Sequence, residues 1–175
     1  MVVNKSLTTY EIMDAQKDDL PAIVAIYNST ISGRMVTADT EEITVESRFR
    51  WFEEHSPNFR PLWVIRDRES RQICGWLSFQ SFYGRPAYNG TAEISIYVDE
   101  AFRGRGIGRI LMDEALNTCP RLGLKTVLGF IFGHNEPSLQ LFRKYGFETW
   151  AHMPNVAELD GVERDLIIVG LRVQA

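Results

Sequence analysis

Cysteine, histidine and proline are all scarce in this 175-residue chain, at two, three and seven residues. Cys74 and Cys119 cannot build the disulfide framework of a small secreted scaffold, and they lack metal-ligand spacing, so no metal is expected. No apolar run reaches the roughly eighteen residues of a membrane span, and the N-terminal stretch lacks a signal-peptide core. Positive charge is not in excess either. Nineteen Lys and Arg face twenty-three Asp and Glu, for a net charge of −4, which argues against a global attraction to nucleic acid or anionic membrane. These absences leave a soluble protein expected in the cytoplasm, with no repeat and no linker.

What is present suffices for one core. Hydrophobic residues make up 45% and charged residues 24%, and a chain of this length buries about 70% of its unfolded surface. Residues 1–8 read as a flexible polar lead-in and 9–173 as a single domain. Tyr10–Met13 is a short strand candidate. Asp18 or Asp19 then caps a helix whose Leu20, Ile23, Val24, Ile26, Tyr27 and Ile31 recur with helical period, ending at Gly33. An irregular stretch, Arg34–Thr44, leads to a second helix over Val45–His55. Strands follow at Leu62–Arg66, Ile73–Phe82 and Thr91–Val98, with a Gly/Pro-marked loop between the last two. A helix from about Gly108 to Thr118, a fully apolar strand Thr126–Phe132, a helix Pro137–Tyr145 and strands Phe147–Met153 and Asp165–Leu171 complete an α/β domain. A strand–helix–strand crossover falls where the glycines lie.

The most informative segment is Arg103-Gly104-Arg105-Gly106-Ile107-Gly108-Arg109, between strand and helix. Glycines let a ligand approach the backbone, and the following helix start carries partial positive charge suited to a phosphate. No acidic residue lies between Ala101 and Met112, so an acidic protein carries a local basic patch here. The Walker pattern fails for want of a lysine, and the dinucleotide fingerprint fails on glycine spacing and position. The plainer alternative is a structural turn with solvated arginines.

Together these residues resemble the GCN5-related N-acetyltransferase superfamily. Arg103, Gly106 and Gly108 match its Arg/Gln-x-x-Gly-x-Gly/Ala loop, and Asn135, Ser138 and Gly146-Phe147 match a second family element. Ala25-Ile26-Tyr27-Asn28, Arg85-Pro86-Ala87-Tyr88 and Thr91–Val98 make the chain most similar to the phosphinothricin and methionine sulfone (sulfoximine) acetyltransferase branch. The resemblance implies a mixed, mostly antiparallel twisted sheet flanked by about four helices and split near the acetyl-CoA site. It also implies a homodimer.

The implied reaction moves an acetyl group from acetyl-CoA to the primary amine of a small amino-acid-like substrate such as phosphinothricin, methionine sulfone or methionine sulfoximine. A protonated amine cannot attack, so a base is needed, and the resemblance assigns Glu93, acting through a water. Strand alternation puts Glu93, Ser95 and Tyr97 on one face and Ile94, Ile96 and Val98 on the other. The resemblance gives the cofactor to Ile96, Tyr97 and Val98, to the loop from Arg103 through Gly104, Arg105, Gly106, Ile107 and Gly108 to Arg109, and to Asn135 and Ser138. Substrate contacts fall to Arg85, Pro86, Ala87, Glu93, Ile94 and Ser95, with Arg85 as the fork for a carboxylate. Arg34 and Thr37 are further candidates on the amine side. Trp51, Trp63, Trp76, Phe79 and Phe82 read as core, with Phe79 or Tyr83 as the alternative pocket wall. The chain departs from the family at Phe142, which stands where many members carry the tyrosine that protonates the leaving thiolate. Tyr145, three residues on, lies on a different helical face. Two alternatives remain: acetylation of another amine, such as a protein N-terminus or a polyamine, and a non-catalytic acyl-CoA sensor.

Overall fold

The structure, a computed structural model, describes residues 9–173; the predicted flexible lead-in, residues 1–8, lies outside them. Seven strands form one sheet in the order β1-β2-β3-β4-β5-β7-β6. They are β1 (Tyr10–Asp14), β2 (Leu62–Asp67), β3 (Ile73–Ser81), β4 (Thr91–Val98), β5 (Thr126–Phe132), β6 (Glu148–Leu159) and β7 (Val162–Arg172). The helices are α1 (Leu20–Ser29), α2 (Phe49–Glu53), α3 (Ile107–Thr118) and α4 (Glu136–Lys144). Every neighbouring pair is antiparallel except β4 and β5, which the α3 crossover makes parallel.

The sheet is covered on both faces. Leu20, Ile23, Ile26 and Tyr27 of α1 pack on Leu62, Val64 and Trp76, while Ile107, Leu111, Met112 and Ala115 of α3 pack on Ile65, Leu77, Phe79 and Ile94. The alternation follows from the period of two: Trp76 goes to one face of β3, and Leu77 and Phe79 to the other. Each of the fully buried Leu, Ile and Phe side chains contributes about 1.5–3 kcal/mol relative to exposure.

Three elements differ from expectation. α1 stops at Ser29 rather than running to Gly33, because the hydroxyls of Ser29 and Thr30 donate to the carbonyls of Ile26 and Tyr27 at 2.6 and 2.7 Å and take the place of the next helical amides. The second predicted helix is shorter and mixed: a 3-10 turn over Glu46–Arg48 runs directly into α2, with Arg48 between them at φ −101°, ψ 0°. The last two strands are longer than predicted and form a hairpin closed by Asp160-Gly161, both at positive φ (53° and 76°), as a tight two-residue turn requires. Pro154 and the positive-φ Asn155 sit in a bulge of β6, an edge strand, where a missing N–H breaks no ladder.

The feature that matters for function is a split. β4 and β5 pair only over Thr91–Glu93 with Thr126–Leu128. Beyond Glu93 the strands part, and Ile94–Tyr97 face Phe130 and Ile131 across a gap floored by Asn135, Ser138 and Phe142.

Candidate active site

The β4 backbone sets the geometry of the gap. The Asp99 amide donates to the Cys74 carbonyl at 2.8 Å, so Asp99, Tyr97 and Ser95 bond to β3 in alternation. The amides of Ile96 and Val98 therefore point the other way, into the gap that β5 has left. Below them a groove of about 590 Å³ runs along Val98, Arg103, Gly104, Gly106, Ile107 and Arg109 to Asn135, Ser138 and Phe142.

The loop geometry explains its glycines. Gly104 and Gly106 lie at φ 74° and 80°, where a side chain is strained, and nothing stands within 4 Å of where their Cβ atoms would be. Gly106 is the N-cap of α3, whose first turn contains no acidic residue and no side-chain cap. The first amides of α3 are thus left for a ligand. Gly108 has a different role, since a Cβ there would stand 3.2 Å from Leu141 of α4. Arg103, Arg105 and Arg109 are exposed around the loop, with the Arg105 guanidinium 4.9 Å above the Phe102 ring. Asn135, buried, caps α4 by accepting from the Ser138 amide at 3.3 Å. Its Nδ2 takes part in no hydrogen bond among the described residues, which leaves a donor for the groove.

On the other face of β4 lies a second cavity of about 210 Å³. Its floor is three cross-strand pairs, Gln80–Glu93, Ser78–Ser95 and Trp76–Tyr97. Its walls are Ile23, Val24 and Tyr27 of α1, Ile43, and Arg48 and Trp51. Trp76 stacks on Tyr97 at 4.5 Å and donates from Nε1 to the Ile23 carbonyl at 3.2 Å, which locks wall to floor. Glu93 is half-buried, and its carboxylate makes no hydrogen bond or ion pair among the described residues. Burial raises its pKa above the ordinary carboxylate value. Burial also raises the Tyr97 phenol strongly, and the Tyr27 hydroxyl beside it adds to the shift.

Not every expected residue meets here. Glu93 and Ser95 line the cavity, whereas Ile94 is buried on the opposite face and borders the gap. Arg85, Pro86 and Ala87 are exposed on a short 3-10 turn of the β3–β4 loop and line no cavity near Glu93. Buried Arg60 explains their position. It donates to Ser81 Oγ at 3.1 Å and to the carbonyls of Asn89 and Thr91 at 2.9 and 3.4 Å, pinning both ends of that loop so that its tip projects outward. Arg34 pairs with Asp160 at 2.8 Å. Thr37 is buried and hydrogen-bonds Tyr27 at 2.5 Å. Phe79 belongs to the core and Tyr83 is 76% exposed, so the aromatic walls are Trp51 and Trp76 instead. Phe142 faces the gap. Tyr145 is turned away: burial, then the hydrogen bond its hydroxyl donates to Asp113 at 2.8 Å, lift its pKa to about 12, and the Arg109 carbonyl stands 3.2 Å from the same oxygen.

Arg48, Gln80, Ser78 and Tyr27 were not expected. The signal for Ser78 and Gln80 was present, since polar residues at alternate positions of an otherwise apolar β3 repeat the spacing of Glu93 and Ser95.

A sheet split beside an anion-ready helix start, with a half-buried carboxylate at the vertex, suits a phosphate-bearing ligand held next to a proton acceptor. The comparisons agree: the chain belongs to the acetyltransferase (GNAT) family, whose model matches residues 13–147. YwnH of Bacillus subtilis (strain 168), named provisionally as a phosphinothricin acetyltransferase, is 56% identical over 156 residues, 89% of this chain and 94% of its own. A methionine sulfoximine/methionine sulfone acetyltransferase of Pseudomonas paraeruginosa is 29% identical over 93% of this chain and 94% of its own. A solved phosphinothricin acetyltransferase from Sinorhizobium meliloti, in complex with acetyl-CoA, superposes with a TM-score of 0.87 at 27% identity, covering 94% of this chain and 89% of that one. The protein is an N-acetyltransferase with acetyl-CoA as co-substrate. The open space over Gly104 and Gly106 and the free Asn135 amide fit such a molecule.

Proposed function

We propose that this enzyme acetylates the amine of a small amino-acid-like substrate of the phosphinothricin and methionine sulfone or sulfoximine type, with Glu93 as general base. The observation that carries the reading is the position of Glu93. An unpaired, half-buried carboxylate stands at the last paired residue of β4, between the small cavity and the gap into which the Ile96 and Val98 amides point. The names of the relatives supply the substrate class.

Acetyl-CoA supplies an activated thioester. The α3 amides and Arg103, Arg105 and Arg109 hold its phosphates, and Asn135, with Ser138 beside it, meets the pantetheine arm. The Ile96 and Val98 amides align that arm and donate to the oxygen on which charge develops, an interaction worth a few kcal/mol. Glu93, directly or through one water, accepts the proton the amine loses as it attacks. Its raised pKa keeps it a competent base nearer neutral pH. Phe142 has no proton to give the departing thiolate, whose ordinary pKa of about 8.5 makes it a tolerable leaving group unaided. The homodimer and the cytoplasmic setting go with this reading.

A thiol-release assay with acetyl-CoA and a panel of amines tests it: phosphinothricin, methionine sulfone, methionine sulfoximine, methionine, a polyamine and a short peptide. Turnover concentrated on the oxygenated amino acids is expected. Turnover of the polyamine or the peptide alone would move the assignment to those amines, and acetyl-CoA binding without any turnover would favour the sensor.

A further inference from the structure

We propose that Arg48 determines substrate specificity by gripping the oxygen-bearing head group at the end of the substrate remote from its reacting amine. This deepens the acetyl-transfer reading and rests on it.

Among the described residues, Arg48 is the one cation that lines the small cavity. Arg48 sits where the 3-10 turn passes into α2, at φ −101°, ψ 0°, and its side chain lines the cavity. Its guanidinium lies over two rings, 5.0 Å from the Tyr27 centroid and 5.3 Å from that of Trp51. Contacts of this kind engage the cation through π faces and leave its N–H edge free. None of its guanidinium donors is in a hydrogen bond among the described residues. The nearest carboxylate, Asp39, is 3.8 Å away, beyond hydrogen-bond reach, 46% exposed, and already accepts from the Tyr27 hydroxyl through the same oxygen. An ion pair this loose and wet contributes little and does not use the fork.

The two charges of the cavity stand apart along β4. Glu93 and Tyr97 share one face of that strand four residues apart, about 13 Å along it. Arg48 lies at the Tyr97 end, its guanidinium 5.0 Å from the Tyr27 ring, which is itself 5.2 Å from the Tyr97 ring. An amine delivered to Glu93 therefore leaves the far end of an extended molecule at Arg48, with the rings of Trp76 and Trp51 along its length. The chemistry that suits this arrangement is an amine at one end and a phosphinyl, sulfonyl or similar oxygen group at the other. Arg85, exposed on its loop, does not line the cavity.

The test compares wild type with Arg48→Met and Arg48→Lys, using full-length protein and steady-state kinetics on phosphinothricin, methionine sulfone and methionine. In Arg48→Met, KM for the anionic phosphinate should rise on the order of tenfold or more, and KM for the neutral sulfone by a smaller factor, because charge-assisted hydrogen bonds are the stronger ones. The smallest change should fall on methionine, which carries no oxygen head group, and an unchanged acetyl-CoA affinity together with a cooperative thermal melt reports an intact fold. Arg48→Lys should recover part of the loss on phosphinothricin, since it keeps the charge and loses the fork. Equal increases on all three amino acids, or none, would overturn the proposal and leave Arg48 with a packing role. Failure of the wild type on all three would defeat the substrate reading itself, a result distinct from wild-type turnover whose selectivity survives in Arg48→Met.

Discussion

Replacing Glu93 by Gln should do two opposite things at once. Gln keeps the shape, the cross-strand neighbour Gln80 and the packing of β4, and removes only the base. A positioned general base typically contributes about 10²–10⁴ in rate, so kcat should fall by that factor, or roughly 3–5 kcal/mol of barrier at 1.36 kcal/mol per decade. KM for acetyl-CoA should not move, because the Ile96 and Val98 amides and the α3 loop are untouched. Stability should change in the other direction. Glu93 has its pKa raised by burial in the folded state, so its protonated form is the one the fold favours. That contribution is fully present below the unfolded carboxylate pKa and is lost as pH rises through the folded value. Glu93→Gln should therefore unfold at the same temperature as wild type near pH 4 and at a higher temperature near pH 8. Thermal melts across that range, alongside kcat/KM profiles, give both readouts. The acid limb of the wild-type profile should lie above the ordinary carboxylate value of 4.5 and disappear in the variant. Unchanged turnover would remove Glu93 as the base. A melting difference that did not grow with pH would refute the claim that a desolvated, unpaired carboxylate stands there.

Four further substitutions probe the scaffold. Arg60→Met removes a side chain only 2% exposed that donates to four acceptors, Ser81 Oγ and the carbonyls of Phe59, Asn89 and Thr91. With each hydrogen bond to a charged group worth about 1.5–3 kcal/mol, and part of the total regained as the buried charge is removed, a net loss of roughly 3 kcal/mol is expected. At about 2–4 °C per kcal/mol for a chain of this size, melting should fall by roughly 6–12 °C, and a fall under about 2 °C would contradict the anchoring role. Gly106→Ala forces a side chain into φ 80°, at about 1–2 kcal/mol, and should raise KM for acetyl-CoA. Gly108→Ala, in ordinary helical geometry and pressed only against the flexible end of Leu141, should leave that KM nearly unchanged, and equal effects would show that conformation is not what the loop requires. Tyr145→Phe should keep full turnover while losing about 0.5–1.5 kcal/mol from its bonds to Asp113 and Arg109, and a collapse of kcat would make Tyr145 the missing acid.

What could be read in advance depended on whether the deciding interaction was local. The β4 alternation, the turn from Arg103 to Arg109 and the α3 crossover are each specified within about a dozen residues, and the structure reproduces the strand bounds Thr91–Val98 and Thr126–Phe132 as predicted. The β6–β7 hairpin carried a local sign too, the Asp-Gly pair, but Pro154 and a run of charges hid the strands that an edge position and a bulge make possible. Arg48 gave no such sign. Its neighbours suggest a continuous helix over residues 45–55, whereas the guanidinium's contact with Tyr27, twenty-one residues away on α1, exists only in the folded chain. The place of Arg85 was hidden for the complementary reason: its chemistry suits a carboxylate, but Arg60, a residue distant in sequence and buried with no carboxylate partner among the described residues, pins the ends of its loop.

The two halves of the site nonetheless follow from one strand. Residues of β4 alternate between β3 and the gap through their amides, and between the small cavity and the α3 side through their side chains. Departure of β5 after Glu93 leaves the Ile96 and Val98 amides facing the gap at the point where the Glu93 side chain enters the small cavity. In the proposed mechanism, register therefore sets the distance between base and acyl donor. A one-residue slip of β4 would carry Glu93 to the buried α3 face and Ile94 into the cavity, abolishing both functions together.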